Sequence, residues 1–289
     1  MAGYCIDFRF KADTPSRPAH FGEPGQEDVY VRLVQYGLGC YERYLADEGE
    51  QWLQAAISVG DELVESQTSG GTRHGGWEHR FSFPHTFHLS APWLSSIAQG
   101  EGASLLTRLH LATEDERYAE AAVRALAPLC KHTSEGGVRA ELNGGPVYEE
   151  YPTDPPSFVL NGAIFALWGC YDVNVAFDDP AASKLFGDGI ESLSANLHLY
   201  DTGYWSLYDL YPHPTTNVAS SAYHSLHINQ LLATQQLSPD PRIESTLNRF
   251  KHYAASRWCF ARAFSRKVLF RLAVPRKAPP KRVRPISED

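Results

Sequence analysis

The sequence predicts an all-α fold, specifically an α/α toroid of about four helical hairpins. Apolar residues recur at intervals of three and four positions from residue 29 onward, which is typical of amphipathic helices. The helices come in pairs joined by short acidic turns, and the pairs repeat every 55–70 residues or so, a spacing of about one hairpin per repeat. A repeat of hairpins predicts a curved array that closes fully or partly into a ring.

The predicted helices follow one another in the same order within every hairpin. Asp and Glu in the short turns suit the start of the second helix, because a helix N-terminus is electropositive. The predicted pairs span residues 29–45 and 51–65, 103–111 and 117–130, 157–177 and 182–197, and 222–234 and 242–258. The loops that follow each second helix are long and rich in glycine and aromatic residues, and we expect small β-hairpins there, on one rim.

Composition changes at both ends and sets the predicted domain boundaries. Residues 1–28 read as a short N-terminal strand and arm, residues 29–262 as the toroid domain, and residues 263–289 as a basic, proline-rich tail. Residues 257–289 carry ten Lys and Arg against two Asp and Glu, which leaves a charge of −16 on the rest of the chain. The tail favours either a solvated role or contact with an anionic membrane surface, an anionic polymer or a glycosyltransferase.

The overall composition is that of a globular protein, with 43% apolar and 21% charged residues. The five cysteines are an odd number without a CxxC pair, so we expect a reducing compartment and neither a disulfide framework nor a zinc site. No signal peptide or long apolar run is visible, so a cytoplasmic protein is expected, with peripheral membrane contact left open. Because the body is acidic, nucleic acid is not an expected partner.

A cluster of acids and phenols stands in the proline-rich segment from Tyr148 to Gly162. Pro152, Pro155 and Pro156 cannot continue a helix and make the segment stiff. A rigid loop that carries proton donors and acceptors at the mouth of a fold is typical of general acid–base catalysis.

Four ordered motifs accompany this segment and cover about half of the chain, the scale of one domain. They are Ala91-Pro92-Trp93 with Ala98-Gln99-Gly100, Tyr148 to Gly162, Leu199 to Gly203 with Tyr208-Asp209-Leu210, and Tyr223-His224 with His227 to Leu231. In this order they resemble the C-terminal domain of the D-glucuronyl C5-epimerases. The resemblance implies the α/α toroid and inversion of C5 of D-glucuronate to L-iduronate within a heparosan-like polysaccharide, as in heparan sulfate biosynthesis, without a cofactor.

The resemblance puts the catalytic carboxylate and phenols on Glu150, Tyr151, Tyr208 and Tyr223. Inversion at C5 requires a base on one face of the sugar and an acid on the other. We expect Glu150, with its pKa raised by burial, and Tyr223 on opposite faces, assisted by Tyr151 and Tyr208. Structural alternatives are a helix cap or an arginine ion pair for Glu150, and aromatic packing for Tyr208 and Tyr223.

One position departs from the resemblance and affects substrate binding. Vertebrate members have an arginine three residues after the counterpart of Tyr208 that can bind the substrate carboxylate, and Tyr211 stands there in this chain. The candidate substrate-binding residues are Arg73, Arg80, Trp93, Gln99, Asn161, Tyr211, His213, His224 and His227. Trp93 fits either a sugar platform or the core, and His224 with His227 fits a buried pair better than a metal site, so no metal is expected.

Three other functions share these residues. A polysaccharide lyase uses the same first proton abstraction. A glycoside hydrolase needs two carboxylates, which Glu149 or Glu150 with Asp201 or Asp209 could supply. A non-catalytic glycan-binding protein would keep only the rim. The vertebrate members also have a large N-terminal β domain, and a homodimer is one way to supply its part of the cleft.

Overall fold

The computed structural model describes residues 3–16, 30–83 and 86–275 and confirms the all-α class. The later part of the predicted N-terminal arm, from residue 17, and the end of the predicted tail, from residue 276, lie outside these described residues. The described helices are α1 (Tyr30–Leu45), α2 (Glu50–Ser66), α3 (Ser96–Thr113), α4 (Glu116–Arg124), α5 (Leu160–Phe177), α6 (Pro180–Asn196), α7 (Ser221–Leu237), α8 (Pro241–Ala255) and α9 (Arg257–Ala273).

Helices α1 to α8 form the four predicted hairpins. The first helices of successive hairpins contact one another in the order α1, α3, α5, α7, and each packs against its own second helix. Helices α3 and α5 are buried along most of their length and therefore lack the one-sided apolar stripe of a surface helix. The structure gives this neighbour order, and closure of the array into a ring stays a prediction.

The acidic turns cap the second helices, as their sequences predict. The side chains of Asp115, Asp179 and Asp240 each accept a backbone N–H from the first turn of α4, α6 and α8, respectively. Each carboxylate satisfies one of the N–H groups that the helix itself leaves without a partner. These three turns thereby fix where α4, α6 and α8 begin, whereas α2 begins after Gly49 without a side-chain cap.

Helices α3 and α5 approach so closely that only glycine fits between them. A Cβ atom on Gly100 would lie 2.5 Å from Cα of Ala166, and one on Gly169 would lie 2.5 Å from Cα of Gly100. The absence of a side chain at Gly100 and Gly169 therefore permits this close backbone approach. Farther along, Arg108 of α3 donates to Asp172 of α5 at 2.5 Å in a buried ion pair.

The N-terminal strand predicted within residues 4–10 is wrong. The structure has a 3₁₀ turn at Arg9–Lys11, and the side chains of Tyr4 and Phe8 are both buried in the main core. The Tyr4 N–H donates to the Glu42 carboxylate of α1 rather than to a strand. Alternating apolar residues predict a strand only where a neighbouring strand can pair with them, and here the segment packs on helices instead.

The C-terminal boundary at residue 263 also differs from the structure, because α9 runs through it. Ser256 caps α9 by accepting the Cys259 N–H, and the helix continues to Ala273 before Pro275. The basic residues up to this point are helical rather than part of a tail. No helix in the described part of the chain is both long and apolar enough to cross a membrane.

Three long loops follow the second helices, and we name them loop A (67–95), loop B (125–159) and loop C (197–220). Loop B contains the antiparallel strands β1 (Arg139–Leu142) and β2 (Gly145–Tyr148), as the predicted small hairpin. Its turn residues Asn143 and Gly144 have φ of 51° and 82°, the left-handed geometry that a two-residue hairpin requires.

The three loops meet at one end of the helices. Phe83 and Phe87 of loop A stack on Tyr151 of loop B, with ring centroids 5.1 and 5.0 Å apart. The Leu210 N–H of loop C donates to the Ser157 carbonyl of loop B at 3.1 Å. These contacts agree with the prediction, made from the chain connectivity, that the long loops lie on one rim.

The Gly100 contact gives a test of packing with a matched control. We expect Gly100→Ala to lower the free energy of unfolding by about 1–3 kcal/mol or more, because the added methyl group forces two helix backbones apart. Gly187 lies in exposed α6 with open space around it, so Gly187→Ala should stabilise by about 0.5–1 kcal/mol. Urea unfolding of both variants measures the two effects, and equal stabilities would contradict the close contact.

Candidate active site

Two neighbouring cavities lie where the loops meet. The large cavity, of about 450 Å³, includes Glu150 and Asn161 in its wall, and the second, of about 230 Å³, includes Lys267 of α9. We call the second one the α9 cavity. Tyr151 and Tyr223 line both cavities, so these two phenols form the boundary between them. Cavities of a few hundred Å³ lined by aromatic and a few polar groups are typical of small-molecule sites.

The buried carboxylate of Glu149 gives loop B its conformation. It accepts the Ser157 N–H at 2.8 Å, the Ser157 hydroxyl at 2.5 Å and the Phe158 N–H at 2.9 Å. Phe158 has φ of 50°, which a bulky residue rarely adopts, and the Tyr200 hydroxyl donates to its carbonyl at 2.8 Å. These contacts clamp the two ends of the proline-rich segment and fix Glu150 and Tyr151 between them.

Glu150 lies in the space that Gly162 leaves open. A Cβ on Gly162 would be 2.5 Å from Cβ of Glu150 and 3.1 Å from its Oε2. The carboxyl group is buried, and burial raises the pKa of Glu150 to about 7, against the opposing hydrogen bonds from Tyr151 and Asn161. The Asn161 amide donates to Oε2 at 3.4 Å. Glu150 can therefore both accept and release a proton near neutral pH.

The three site tyrosines form a connected set of phenols beside Glu150. The Tyr151 phenol lies close enough to the Glu150 carboxyl to lower its pKa, and the Tyr208 phenol in turn lowers the pKa of Tyr151, against the larger effects of burial. Burial raises the pKa of Tyr151 and of Tyr208 well above the usual value, and the nearby Glu150 charge raises both further. Both phenols are therefore neutral donors at physiological pH.

Tyr223 occupies the first turn of α7, where its N–H donates to the capping Ser220 hydroxyl at 3.3 Å. Its ring meets Tyr208 edge-on at a centroid distance of 4.8 Å. Tyr223 is 39% exposed, whereas Glu150 is 7% exposed. The site thus combines a buried carboxyl group with a phenol that contacts solvent.

A second buried acid, Glu101, lies behind the large cavity and was not among the site residues predicted from the sequence. Glu101 of α3 is fully buried, and Gln35, which lines the cavity, donates to its Oε1 at 3.2 Å. Burial raises the pKa of Glu101 well above the usual value, and the Glu150 charge adds to this. A neutral Glu101 avoids the repulsion that a second carboxylate beside Glu150 would cause.

Trp93 and Asn161 line the large cavity, and Trp93 is also part of the core. Its indole N–H donates to the Phe81 carbonyl at 2.8 Å, and its ring stacks on His79 at 4.2 Å. Burial lowers the pKa of His79 to about 4, so this ring is neutral. Trp93 is therefore packed in the core while it borders the cavity, and its role as a sugar platform stays a prediction.

Three predicted substrate-binding residues have structural roles instead. The Gln99 amide donates to the carbonyls of Gly75 and Ala125 at 3.0 and 2.8 Å, and it is fully buried. Rings of His224 and His227 both contact the Ser206 hydroxyl, at 2.8 and 2.9 Å, and burial lowers the pKa of each. Within the described residues, no group of three or more His, Cys, Asp or Glu could hold a metal ion.

The basic candidates of loop A are engaged away from the two cavities. Arg73 and Arg80 flank the Glu78 carboxylate at 3.6 and 3.3 Å, and the Arg80 side chain is 82% exposed. Arg73 lines a separate cavity of about 200 Å³ that also includes Trp93.

Tyr211 and His213 pack behind the wall of the α9 cavity. Tyr211 meets Phe87 edge-on at 5.5 Å, and Phe87 itself lines that cavity. Nε2 of His213 lies 3.3 Å from the buried Asp209 carboxylate, and its ring meets Phe270 of α9 at 5.0 Å. Neither residue lines either of the two cavities.

The cations that do line the α9 cavity are Lys267 and Arg271, which sequence reasoning assigned to the tail. The signals that could have found them are the Ser256 cap, the absence of proline from Arg257 to Val274 and the four-residue spacing of the two cations. Their contact with loops A and C could not be read from the sequence, because it joins segments far apart in the chain.

Comparisons with known proteins find a family model and relatives that match this chain. The family model for the D-glucuronyl C5-epimerase C-terminus matches residues 70–252. The D-glucuronyl C5-epimerase of Caenorhabditis elegans is 34% identical over 246 residues, which cover 78% of this chain and 39% of that protein. An uncharacterized protein of Methanocaldococcus jannaschii is 31% identical over 207 residues, covering 70% of this chain and 65% of that protein.

The chain thus spans about two fifths of the length of the worm relative, as its 39% coverage states. The matched region includes loop A from residue 70 onward, loops B and C, and all four candidate catalytic residues. Since the family model covers more than half of the chain, the protein belongs to the D-glucuronyl C5-epimerase C-terminal domain family.

Proposed function

We propose that the protein is a uronate C5-epimerase that converts D-glucuronate to L-iduronate within a heparosan-like polysaccharide. One observation carries the proposal: a buried carboxyl group with its pKa near 7 lies beside a phenol at the boundary between two cavities. Abstraction and return of a weakly acidic C–H proton needs such groups, tuned to neutral pH.

Glu150 is the base in this mechanism. Its ionised carboxylate takes the C5 proton from the face of the sugar that is in the large cavity. Because the carboxylate is buried and only weakly solvated, its proton affinity is high for a carboxylate. The electron pair left on C5 spreads into the adjacent uronate carboxylate, and neutral donors from Tyr151 and Tyr208 stabilise the developing charge.

Tyr223 supplies the proton on the other face. Its phenol lines both cavities, and its partial exposure allows it to regain a proton from solvent. The proton on Glu150 must also leave before the next turnover. The neighbouring phenols of Tyr151 and Tyr208 provide a route from Glu150 to the α9 cavity, which Tyr208 lines.

The environment of the other carboxylates supports an epimerase over a glycoside hydrolase. Glu149 accepts three hydrogen bonds from its own loop, and Asp201 accepts from Arg249 at 2.6 Å and Tyr253 at 3.1 Å. Asp209 accepts from the Asn217 amide at 2.5 Å. A hydrolase needs a second carboxylate directed at the substrate, whereas each of these serves an internal structural purpose.

The proposal is tested by incubating unsulfated heparosan with the protein in deuterated water and recording NMR spectra. We expect deuterium at C5 of the uronate and the appearance of iduronate signals. An unsaturated uronate, detected by its ultraviolet absorbance, would instead indicate a lyase. New reducing ends would indicate a hydrolase. Binding without any exchange would indicate a glycan-binding protein, and each of these three results would overturn the epimerase.

Removal of either proposed acid–base group should stop most of the exchange. Glu150→Gln and Tyr223→Phe should each slow C5 deuterium incorporation by at least about 100-fold, because each removes one of the two proton-transfer groups. Tyr171→Phe, on the far part of α5 beside Phe186, is the matched control and should keep the wild-type rate. Near-normal rates in both site variants would exclude these roles.

The pH dependence should follow the ionisation of Glu150. Since the base must be ionised, kcat/KM should rise with pH and level off above about 7, where the Glu150 carboxyl loses its proton. Asn161→Ala removes a donor that favours the carboxylate, so the midpoint should move to higher pH. The measurement is kcat/KM of the wild-type and Asn161→Ala proteins from about pH 5 to 9, roughly two units either side of neutrality. An unmoved midpoint would argue against Glu150 as the titrating group.

A further inference from the structure

We propose that Lys267 and Arg271 of α9 form the binding site for the carboxylate of the reacting uronate. The inference deepens the function proposed above and rests on it for the identity of the substrate. It assigns substrate recognition to a helix that follows the region matched by the family model, which ends at residue 252.

Both cations lie beside the three phenols. Lys267 and Arg271 line the α9 cavity together with Tyr151, Tyr208 and Tyr223. Nζ of Lys267 lies 5.8 Å from the centroid of the Tyr208 ring. A carboxylate bound by this pair therefore lies next to Tyr151 and Tyr223, which line both cavities. C5 must lie there if proton-transfer groups are to reach it from two sides.

A chain of buried polar groups holds Lys267 in place. Its ammonium donates to Asn217 Oδ1 at 2.7 Å and to the Val218 carbonyl at 2.8 Å. The Asn217 amide in turn donates to the buried Asp209 carboxylate at 2.5 Å. The charge is thus positioned before substrate arrives, so less conformational entropy is lost on binding.

Arg271 stands one turn farther along the same face of α9. Its guanidinium donates to the Thr86 hydroxyl of loop A at 3.2 Å. Phe270, fully buried between these two cations and loop C, fixes the rotation of the helix. Lys267 and Arg271 therefore connect loop C and loop A at the α9 cavity. Their two charged groups can bind the two oxygens of a planar carboxylate.

Charge at this position also assists the reaction step. When the C5 proton leaves, negative charge builds up on the uronate carboxylate, and two partly buried cations stabilise it more strongly than exposed ones would. Lys11 and Arg32 also line the large cavity, but both are exposed to solvent, which screens them. Their position suits the carboxylates of neighbouring sugars in the polymer.

The test compares binding of a heparosan oligosaccharide with that of its carboxyl-reduced, neutral counterpart by calorimetry. We expect the wild-type protein to prefer the acid by about 10–100-fold, and the Lys267→Gln/Arg271→Gln double variant to lose most of that preference while binding the neutral form unchanged. Arg266→Gln removes one charge from an exposed position of the same helix and should keep the preference. Arg271→Lys, which keeps the charge, should retain most of it.

Because Lys267 also holds loop C, Arg271→Gln alone provides a variant that leaves this anchor intact. It should weaken acid binding by about tenfold and lower kcat as well as raise KM, since the charge is stabilised more in the transition state. A double variant that keeps the preference for the acid would overturn the proposal. So would a preference that disappears in Arg32→Gln instead.

The outcome is separable from that of the epimerase proposal. Carboxylate-dependent binding that requires Lys267 and Arg271, but without C5 exchange, would support the site and reject the epimerase. C5 exchange with no difference between the acid and neutral ligands in binding would support the epimerase and reject the site.

Discussion

The backbone contact between α3 and α5 is the constraint on which the site depends. Gly100 and Gly169 let the two helices touch, so that Glu101 of α3 and Asn161 of α5 reach the same cavity region. The hydroxyl of Ser96, at the start of α3, donates to the Tyr148 carbonyl at 3.0 Å and thereby attaches loop B to the same helix. A methyl group at the crossing would therefore displace the groups that surround Glu150 as well as the core.

Burial shapes the chemistry of the site more than any ion pair does. Glu149, Glu150 and Glu101 are all buried, and loss of solvation raises the pKa of each. Their protonated forms carry no net charge, so three acids can lie in one interior without strong mutual repulsion. Positive charge comes instead from Lys267 and Arg271 of α9, at the edge of the site. The acidic interior and the basic helix are thus complementary parts of one electrostatic arrangement.

Much of the fold could be predicted from local sequence patterns. The hairpins follow from apolar periodicity, and the acidic turns at Asp115, Asp179 and Asp240 mark helix starts because their carboxylates cap free N–H groups. The position of Glu150 and Tyr151 in a stiff loop followed from three prolines. Residues 4–10 were mispredicted because alternation alone does not reveal whether a partner strand exists. Gln99 and His224 could not be told from ligand-binding residues by type, since their partners are backbone carbonyls and a distant serine.

By itself, the sequence determined the helical class, the order of the hairpins, the family and the acid–phenol cluster, because each depends on residues that are neighbours in the chain or on ordered motifs. Only the tertiary structure decided which of those residues meet. In the structure Lys267 contacts Asn217, 50 positions away in the chain, so α9 lies against the cavity. The side chains of Gln99 and His224 are buried in the core. Such contacts depend on packing between distant segments, and no local periodicity encodes them.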